Sequence, residues 1–367
     1  MYEFHIVDLA PYGIIVVILT LLLVSKTELR KKAYFCFLVL FFFSAIRYGI
    51  GYDYYAYMKM VLNNTEDYSI ERIEPLSRVL LSTAYHTHYQ VFFVLSSFLT
   101  IFPLYRACIK LSINPAYSLI IYFLFPVYYL ESFSIIRNAV AYSIVLYSFV
   151  VLNERKYLYS VVLIVIAALF HKSALISLLF YFIFFIKPGR LLNIIFYLSS
   201  FAISAFLLEA ISQYADLFFL LSDVEKYTEV GRAEGGTMNY IVNGLNIINF
   251  LLWSQLSAKD KNNSLYLCLF NIGVCLWNAF LAIDSTISLR LSSFFMIFII
   301  FLVPQYKTIF VGKNQLFVNR MVYLFFLILF SSYFYINVSA YLDNPERMSN
   351  IPYQTVFYHT DYDNYVY

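Results

Sequence analysis

Apolar runs of near-membrane length follow one another along this chain, and no other feature constrains its fold as strongly. AYFCFLVLFFFSAI (33–46) and LLNIIFYLSSFAISAFLL (191–208) are two of them. In lipid every backbone N–H and C=O must be satisfied within the protein, so only helices or closed barrels span it. The runs are read as helices over 9–24, 33–46, 89–105, 113–130, 138–152, 157–170, 173–186, 191–208, 241–256, 264–283, 287–303 and 321–336. Several fall short of the ~20 residues of a full crossing; flanking aromatics or a locally thinned bilayer make up the difference. The predicted fold is an all-α polytopic membrane protein with about 12 transmembrane segments.

Composition agrees. Of 367 residues 62% are hydrophobic and 13% charged, against about 25% charged in a soluble domain. A net charge of +3 is too small to suggest nucleic acid. Cys36, Cys108, Cys268 and Cys275 lie in or beside apolar runs without a CxxC pair. They read as small buried apolar residues, with neither a disulfide framework nor a zinc site. The start, MYEFHIVDLAPYG, has no positive leader or A-x-A site, so the first run is expected to be a retained span. No tandem repeat or linker divides the chain, and a single domain over 1–367 is expected.

Counting Lys and Arg orients the spans. With the N-terminus outside, the inner segments are 25–32, 106–112, 153–156, 187–190, 257–263 and 305–320. They hold fifteen of the 25 basic residues and only three acids, Glu28, Glu154 and Asp260. The same count splits 157–186 into two short spans turning at His171; one long helix would invert every later loop. Three longer segments then face outward: about 47–88, 209–240 and the tail 337–367. In the first, PLSRVLLSTAYHTHY fits an amphipathic helix lying in the interface.

Polar residues distant in sequence gather on that outer side: Arg47, Asp53, Glu74, Arg78, Arg137, His171, Arg232, Arg290 and the tail motif IPYQTVF. A terminal arginine can simply snorkel to headgroups. That reading weakens for Arg137 and Arg290, which sit against apolar spans, where arginine is costly and usually faces a cavity. His171 also fits an interfacial helix end, and Asp53 a cap or turn. Several guanidinium groups together fit an anionic headgroup, above all a pyrophosphate. A histidine beside them accepts a proton near neutral pH. Tyr48, Tyr52, Tyr54, Tyr55 and Tyr57 offer faces and hydroxyls to sugar rings.

Here the sequence resembles a family. Arg47-Tyr48-Gly49-Ile50-Gly51 with Asp53 and Tyr57 looks like the R-x-x-x-G-x-D-x-x-x-Y element of EpsG-like proteins, among the Wzy-type polymerases of bacterial surface polysaccharide. Glu74-Pro75-Leu76, Arg137-Asn138-Ala139-Val140-Ala141, His171-Lys172-Ser173-Ala174-Leu175, Arg290 and Ile351-Pro352-Tyr353 resemble its further elements, in order. Tyr52 departs from the small residue expected beside Asp53.

The resemblance implies a fold akin to lipid-linked sugar transferases of the C-type membrane glycosyltransferase class. It implies an undecaprenyl-pyrophosphate-linked glycan as donor and a second lipid-linked repeat unit as acceptor. The growing chain would pass en bloc onto the new unit at the outer face of the cytoplasmic membrane, making O antigen, capsule or exopolysaccharide. Candidate protein partners are a chain-length regulator and a flippase. The roles expected are His171 as general base, with Asp53 as the other candidate, and Arg137 and Arg290 on the pyrophosphate. Arg47 and Arg232 are secondary phosphate ligands; Glu74, Arg78, Tyr57 and Tyr353 complete the substrate-binding set. Displacement would invert the anomeric carbon, and no metal or cofactor is expected. The rival readings are an O-antigen ligase or acetyltransferase, a flippase or transporter of lipid-linked sugars, and a scaffolding protein.

Overall fold

The structure, a computed structural model, describes residues 6–62, 73–213, 236–343 and 350–359. Five of its helices are long and apolar enough to cross a membrane, six if one bent pair counts as a span. Four more apolar helices are shorter. The chain divides into two compact units, Leu175–Val318 and the residues on either side of it.

The first unit contains α1 (Ala10–Val24), α2 (Leu29–Ala45), α3 (Tyr54–Leu62), α4 (Pro75–Tyr85), α5 (Gln90–Leu111), α6 (Pro115–Leu124), α7 (Ile136–Asn153) and α8 (Tyr157–Ala168). The end of α1 is closed by Lys32, whose Nζ donates to the carbonyls of Leu23 (2.9 Å) and Ser25 (2.5 Å). A cation suits that place, because the carbonyl end of a helix is electronegative. Asn114 starts α6, its side chain accepting from Tyr117 N at 3.2 Å ahead of Pro115. α7 packs between α5 and α8 and is buried almost throughout.

Sequence expectation and structure part company at 113–130. α6 stops at Leu124, and a run of turns follows to Ser134. Pro126 is the cause: it forces Phe125 into extended backbone (φ −88°, ψ 107°) and cannot donate to the helix ladder. The expected 157–186 division is present, since α8 ends before His171 and a 3-10 turn (Lys172–Leu178) leads into α9 (Leu179–Ile186).

The tail returns to the start of the unit. β2 (Gln354–Thr355) pairs antiparallel with β1 (Arg47–Tyr48), and Val356 N donates to Ile46 O at 3.0 Å. Tyr353 stacks on Phe43 with centroids 4.0 Å apart and meets Tyr12 edge-on. Tyr12 in turn donates to Asn350 O. Tyr353 is thus held in packing contacts between the tail and the first two helices.

The second unit is centred on α12 (Lys261–Leu281), which touches α9, α10 (Arg190–Gln213), α11 (Gly236–Lys259), α13 (Ser285–Met296) and α14 (Ile299–Tyr306). Asp260 and Asp284 cap α12 and α13, accepting from Asn262 N and Ile287 N at 2.8 Å each. The expected span 287–303 is bent by 54° between α13 and α14. Before the bend, the hydroxyls of Ser292 and Ser293 bond back to Leu289 O and Arg290 O, a habit that bends helices. At Gly273 a Cβ would lie 2.4 Å from the backbone nitrogen of Met296, so only glycine lets α12 and α13 approach this closely. α15 (Lys313–Asp343) follows and carries the chain back into the first unit.

A seam of asparagines ties this unit together. Asn271 Nδ2 donates to both oxygens of Asn193 (3.0 Å each), and Asn246 Nδ2 donates to Asn271 Oδ1 (2.9 Å). Further along, Asn243 and Asn278 exchange hydrogen bonds at 3.0 Å. Tyr197 donates to Asn243 at 2.9 Å and Trp277 to Asn239 at 3.2 Å. In an apolar setting such bonds hold helices that the hydrophobic effect cannot. Asn271→Leu would strand partners on α10 and α11, at a cost of about 1–2 kcal/mol. The expected result is a lower thermal midpoint for the detergent-purified protein; an unchanged midpoint would show the seam to be dispensable.

Candidate active site

Four of the sequence-selected residues meet where α3, α4, α7 and the His171 turn converge. The sequence explains each position. Glu74 precedes Pro75, so its backbone is extended (φ −61°, ψ 147°) and its side chain does not cap α4. The carboxylate, 8% exposed, turns instead to Arg137: Oε2 pairs with Nη1, while Oε1 accepts from Lys172 N at 3.3 Å. Arg137 is the second residue of α7, an unfavourable place for a cation because helix N-termini are electropositive. Glu74 supplies the compensating charge. Arg137 Nε donates to the Tyr57 hydroxyl at 2.8 Å, and the Tyr57 ring stacks on Phe92 at 4.8 Å. The Arg137 side chain keeps 28% of its surface exposed.

His171 is placed by the junction of α4 and α8. Leu76 N donates to Leu169 O (3.0 Å), and Ser77 Oγ to Phe170 O (3.1 Å). Helix starts lack partners for their N–H groups and helix ends for their carbonyls; here each supplies the other. Two residues beyond His171, Ser173 Oγ lies 2.6 Å from His171 Nδ1 and 3.2 Å from Asn138 Oδ1. Glu74 therefore bridges the arginine and the histidine turn, and Asn138, next to Arg137, reaches the same turn from α7.

Asp53 directly precedes α3 and is half-buried, its carbonyl accepting from Tyr57 N at 3.0 Å. The loop before it is held by close backbone contact. Gly51 has φ +97°, and a Cβ there would lie 2.3 Å from Phe133 O. Tyr52 N donates to Ser134 Oγ at 3.2 Å. The RYGIGYD loop is thus built against the segment that leads into Arg137, which is why glycine is needed in it.

Arg47 lies deeper. Only 1% exposed, its Nη1 donates to Ser44 O (2.6 Å), Ser44 Oγ (3.0 Å) and Ser97 Oγ (3.2 Å). Its guanidinium carbon sits 4.7 Å from the Phe133 ring centre and 5.2 Å from that of Phe93. It joins α2 to α5. Arg78 is exposed one turn after Glu74. Arg290 is on α13 of the second unit, and Arg232 lies outside the described residues. Asn138 and Ser173 stand inside the motifs yet do not titrate; the signal that marks them in the sequence is adjacency to Arg137 and His171.

A helical membrane scaffold carrying a buried carboxylate, an arginine and a histidine turn defines an integral-membrane protein with a polar cluster among its helices. The chain belongs to the EpsG family, whose model matches residues 32–355. That assigns it a part in membrane polysaccharide biosynthesis. No curated protein and no solved structure matches the chain.

Proposed function

We propose that this protein is a Wzy-type polymerase. It would extend undecaprenyl-pyrophosphate-linked repeat units at the outer face of the bacterial cytoplasmic membrane, with 12 spans and the N-terminus outside. One observation carries the reading: Glu74 joins Arg137 to the turn that bears His171, so a phosphate-binding cation and a base share one small cluster. Family membership supports the substrate class.

In the reaction, the acceptor hydroxyl oxygen bonds to the anomeric carbon of the donor as the bond from that carbon to the pyrophosphate oxygen breaks. Lipid pyrophosphate leaves with the electron pair, the hydroxyl proton passes to His171, and the anomeric configuration inverts. Asp53 is the other candidate base. A guanidinium has five N–H donors. Tyr57 and Glu74 take one each from Arg137, leaving the rest for phosphate oxygens. Charge stabilisation of the leaving group then comes from Arg137, without a metal. Arg290, in the second unit, and Arg232 remain phosphate candidates, and Arg78 and Asp53 line the approach. Arg47 and Tyr353 act as scaffold, given their enclosure.

The test is reconstitution of the purified protein with synthetic lipid-pyrophosphate repeat units. A product ladder spaced by one repeat, surviving a chelator, is expected. A single transfer to a different acceptor would make the protein a ligase, and translocation without product a flippase.

A further inference from the structure

We propose that Asn138 and Ser173 are positioning residues that fix the tautomer of His171, with its proton on Nδ1, so that Nε2 accepts the acceptor hydroxyl's proton. The inference rests on the polymerase reading for its catalytic part and on geometry alone for the tautomer. A serine hydroxyl has one hydrogen to give. Ser173 Oγ stands between two atoms, Asn138 Oδ1 at 3.2 Å and His171 Nδ1 at 2.6 Å. Asn138 Oδ1 is a carbonyl oxygen and can only accept, so the Ser173 hydrogen satisfies it. The 2.6 Å contact must then be made by a hydrogen on the ring, Nδ1–H donating to Oγ.

One contact points the other way. Ser173 N lies 3.4 Å from Nδ1, aimed as if to donate to it. That distance is at the outer limit for an N–H bond, whereas 2.6 Å is a strong one, so the shorter contact sets the proton. Asn138 is 1% exposed, which keeps water from competing for its Oδ1. The partner of one ring nitrogen selects what the other can do. Here the chain Asn138–Ser173–His171 leaves Nε2 unprotonated in the neutral ring. It also stabilises the imidazolium once Nε2 has taken the substrate proton, because Nδ1–H keeps its acceptor.

Among the described residues, charged and titratable groups lie on the elements that meet the His171 turn. Glu74 and Arg78 belong to the start of α4, Arg137 to α7, and Lys172 is exposed beside the histidine; Tyr57 on α3 holds Arg137. The tautomer is assigned to Ser173 and Asn138 because the 2.6 Å contact at Nδ1 is made by Ser173, which also donates to Asn138.

The test has two readouts. The full-length protein, reconstituted in lipid with 15N-labelled histidine, is examined by solid-state NMR, and His171→Gln identifies the His171 signals among the five histidines. At alkaline pH, Nδ1 is expected to be protonated and Nε2 not. In Ser173→Ala the preference for Nδ1–H is expected to fall, and Ser173→Thr to restore it. A ring protonated on Nε2 in the wild type overturns the proposal whether or not the protein polymerises.

The second readout is the pH profile of ladder formation. Ser173→Ala is expected to lower kcat by about tenfold, part of the roughly 10²–10⁴ that a positioned base supplies. KM should be unchanged, and the acid limb should move to lower pH because the imidazolium loses its acceptor. Asn138→Asp should move that limb to higher pH, the added negative charge favouring the imidazolium. A residue that merely supports the fold would move neither limb. Wild-type ladders with unshifted profiles in both variants sink the relay and leave the polymerase standing; no ladder from wild type sinks the polymerase instead.

Discussion

Cells whose only copy carries Arg137→Leu are expected to make no polymer, and the purified variant to be less stable by about 3 kcal/mol. Glu74 is the reason. Its carboxylate is nearly enclosed and, among the described residues, would keep the Lys172 N–H as its donor. Removing one partner of a buried ion pair leaves an uncompensated charge; the low end of the usual range applies because Arg137 itself is partly exposed. Adding Glu74→Gln to Arg137→Leu should recover part of the stability, though not the activity, because the stranded group is then neutral. Arg137→Lys is the sharper probe of chemistry. A lysine keeps the charge but cannot reach Tyr57, Glu74 and a phosphate together. Polymer yield is expected to fall at least about tenfold, the worth of one charge-assisted bond. Full-length polymer from Arg137→Lys cells would remove Arg137 from the phosphate role.

His171→Ala should lower the polymerisation rate by about 10²–10⁴ at neutral pH while donor binding persists. The wild-type rate should rise from acid to neutral pH as the imidazole loses its proton, and the variant should lack that limb. The stability change should be small next to that of Arg137→Leu, since the backbone groups of His171 carry the turn: His171 N bonds to Ala167 O and Ala174 N to His171 O, both at 3.0 Å. Rates equal to wild type from pH 6 to 9 would eliminate His171 and turn attention to Asp53.

Much of this was readable in the residues, and the failures have physical causes. Hydropathy located the helices because lipid penalises any unsatisfied backbone, so each apolar run had to carry helix. It located breaks poorly. Pro126 was a visible stop inside 113–130, yet the apolar run continues through it, and a hydropathy window sees only the run. The bend after Met296 had only the Ser292-Ser293 pair as a local marker, through its back-bonding; the close approach at Gly273 is a tertiary contact that hydropathy does not see. Counting charges placed Glu74, Arg137, His171 and Tyr57 on one side, but it could not say that Glu74 touches both the arginine and the histidine turn. For Arg47 a count of charge could not show its burial, because serine hydroxyls and aromatic faces can house a guanidinium without any carboxylate. The asparagine seam escaped for a related reason. Its members are uncharged, and only the recurrence of Asn239, Asn243 and Asn246 on one helix hinted at a shared face.

The pairing of β2 with β1 has a consequence for biosynthesis. Residues 354–356 close onto residues 46–48, and these lie almost a whole polypeptide apart. The early helices can enter the membrane as they emerge from the ribosome, but the loop beside the Glu74–Arg137 cluster lacks its pairing strand until residues 354–356 have been made. A chain stopped short of Asn350 would therefore be inserted and yet lack the strand that closes onto the RYGIGYD loop.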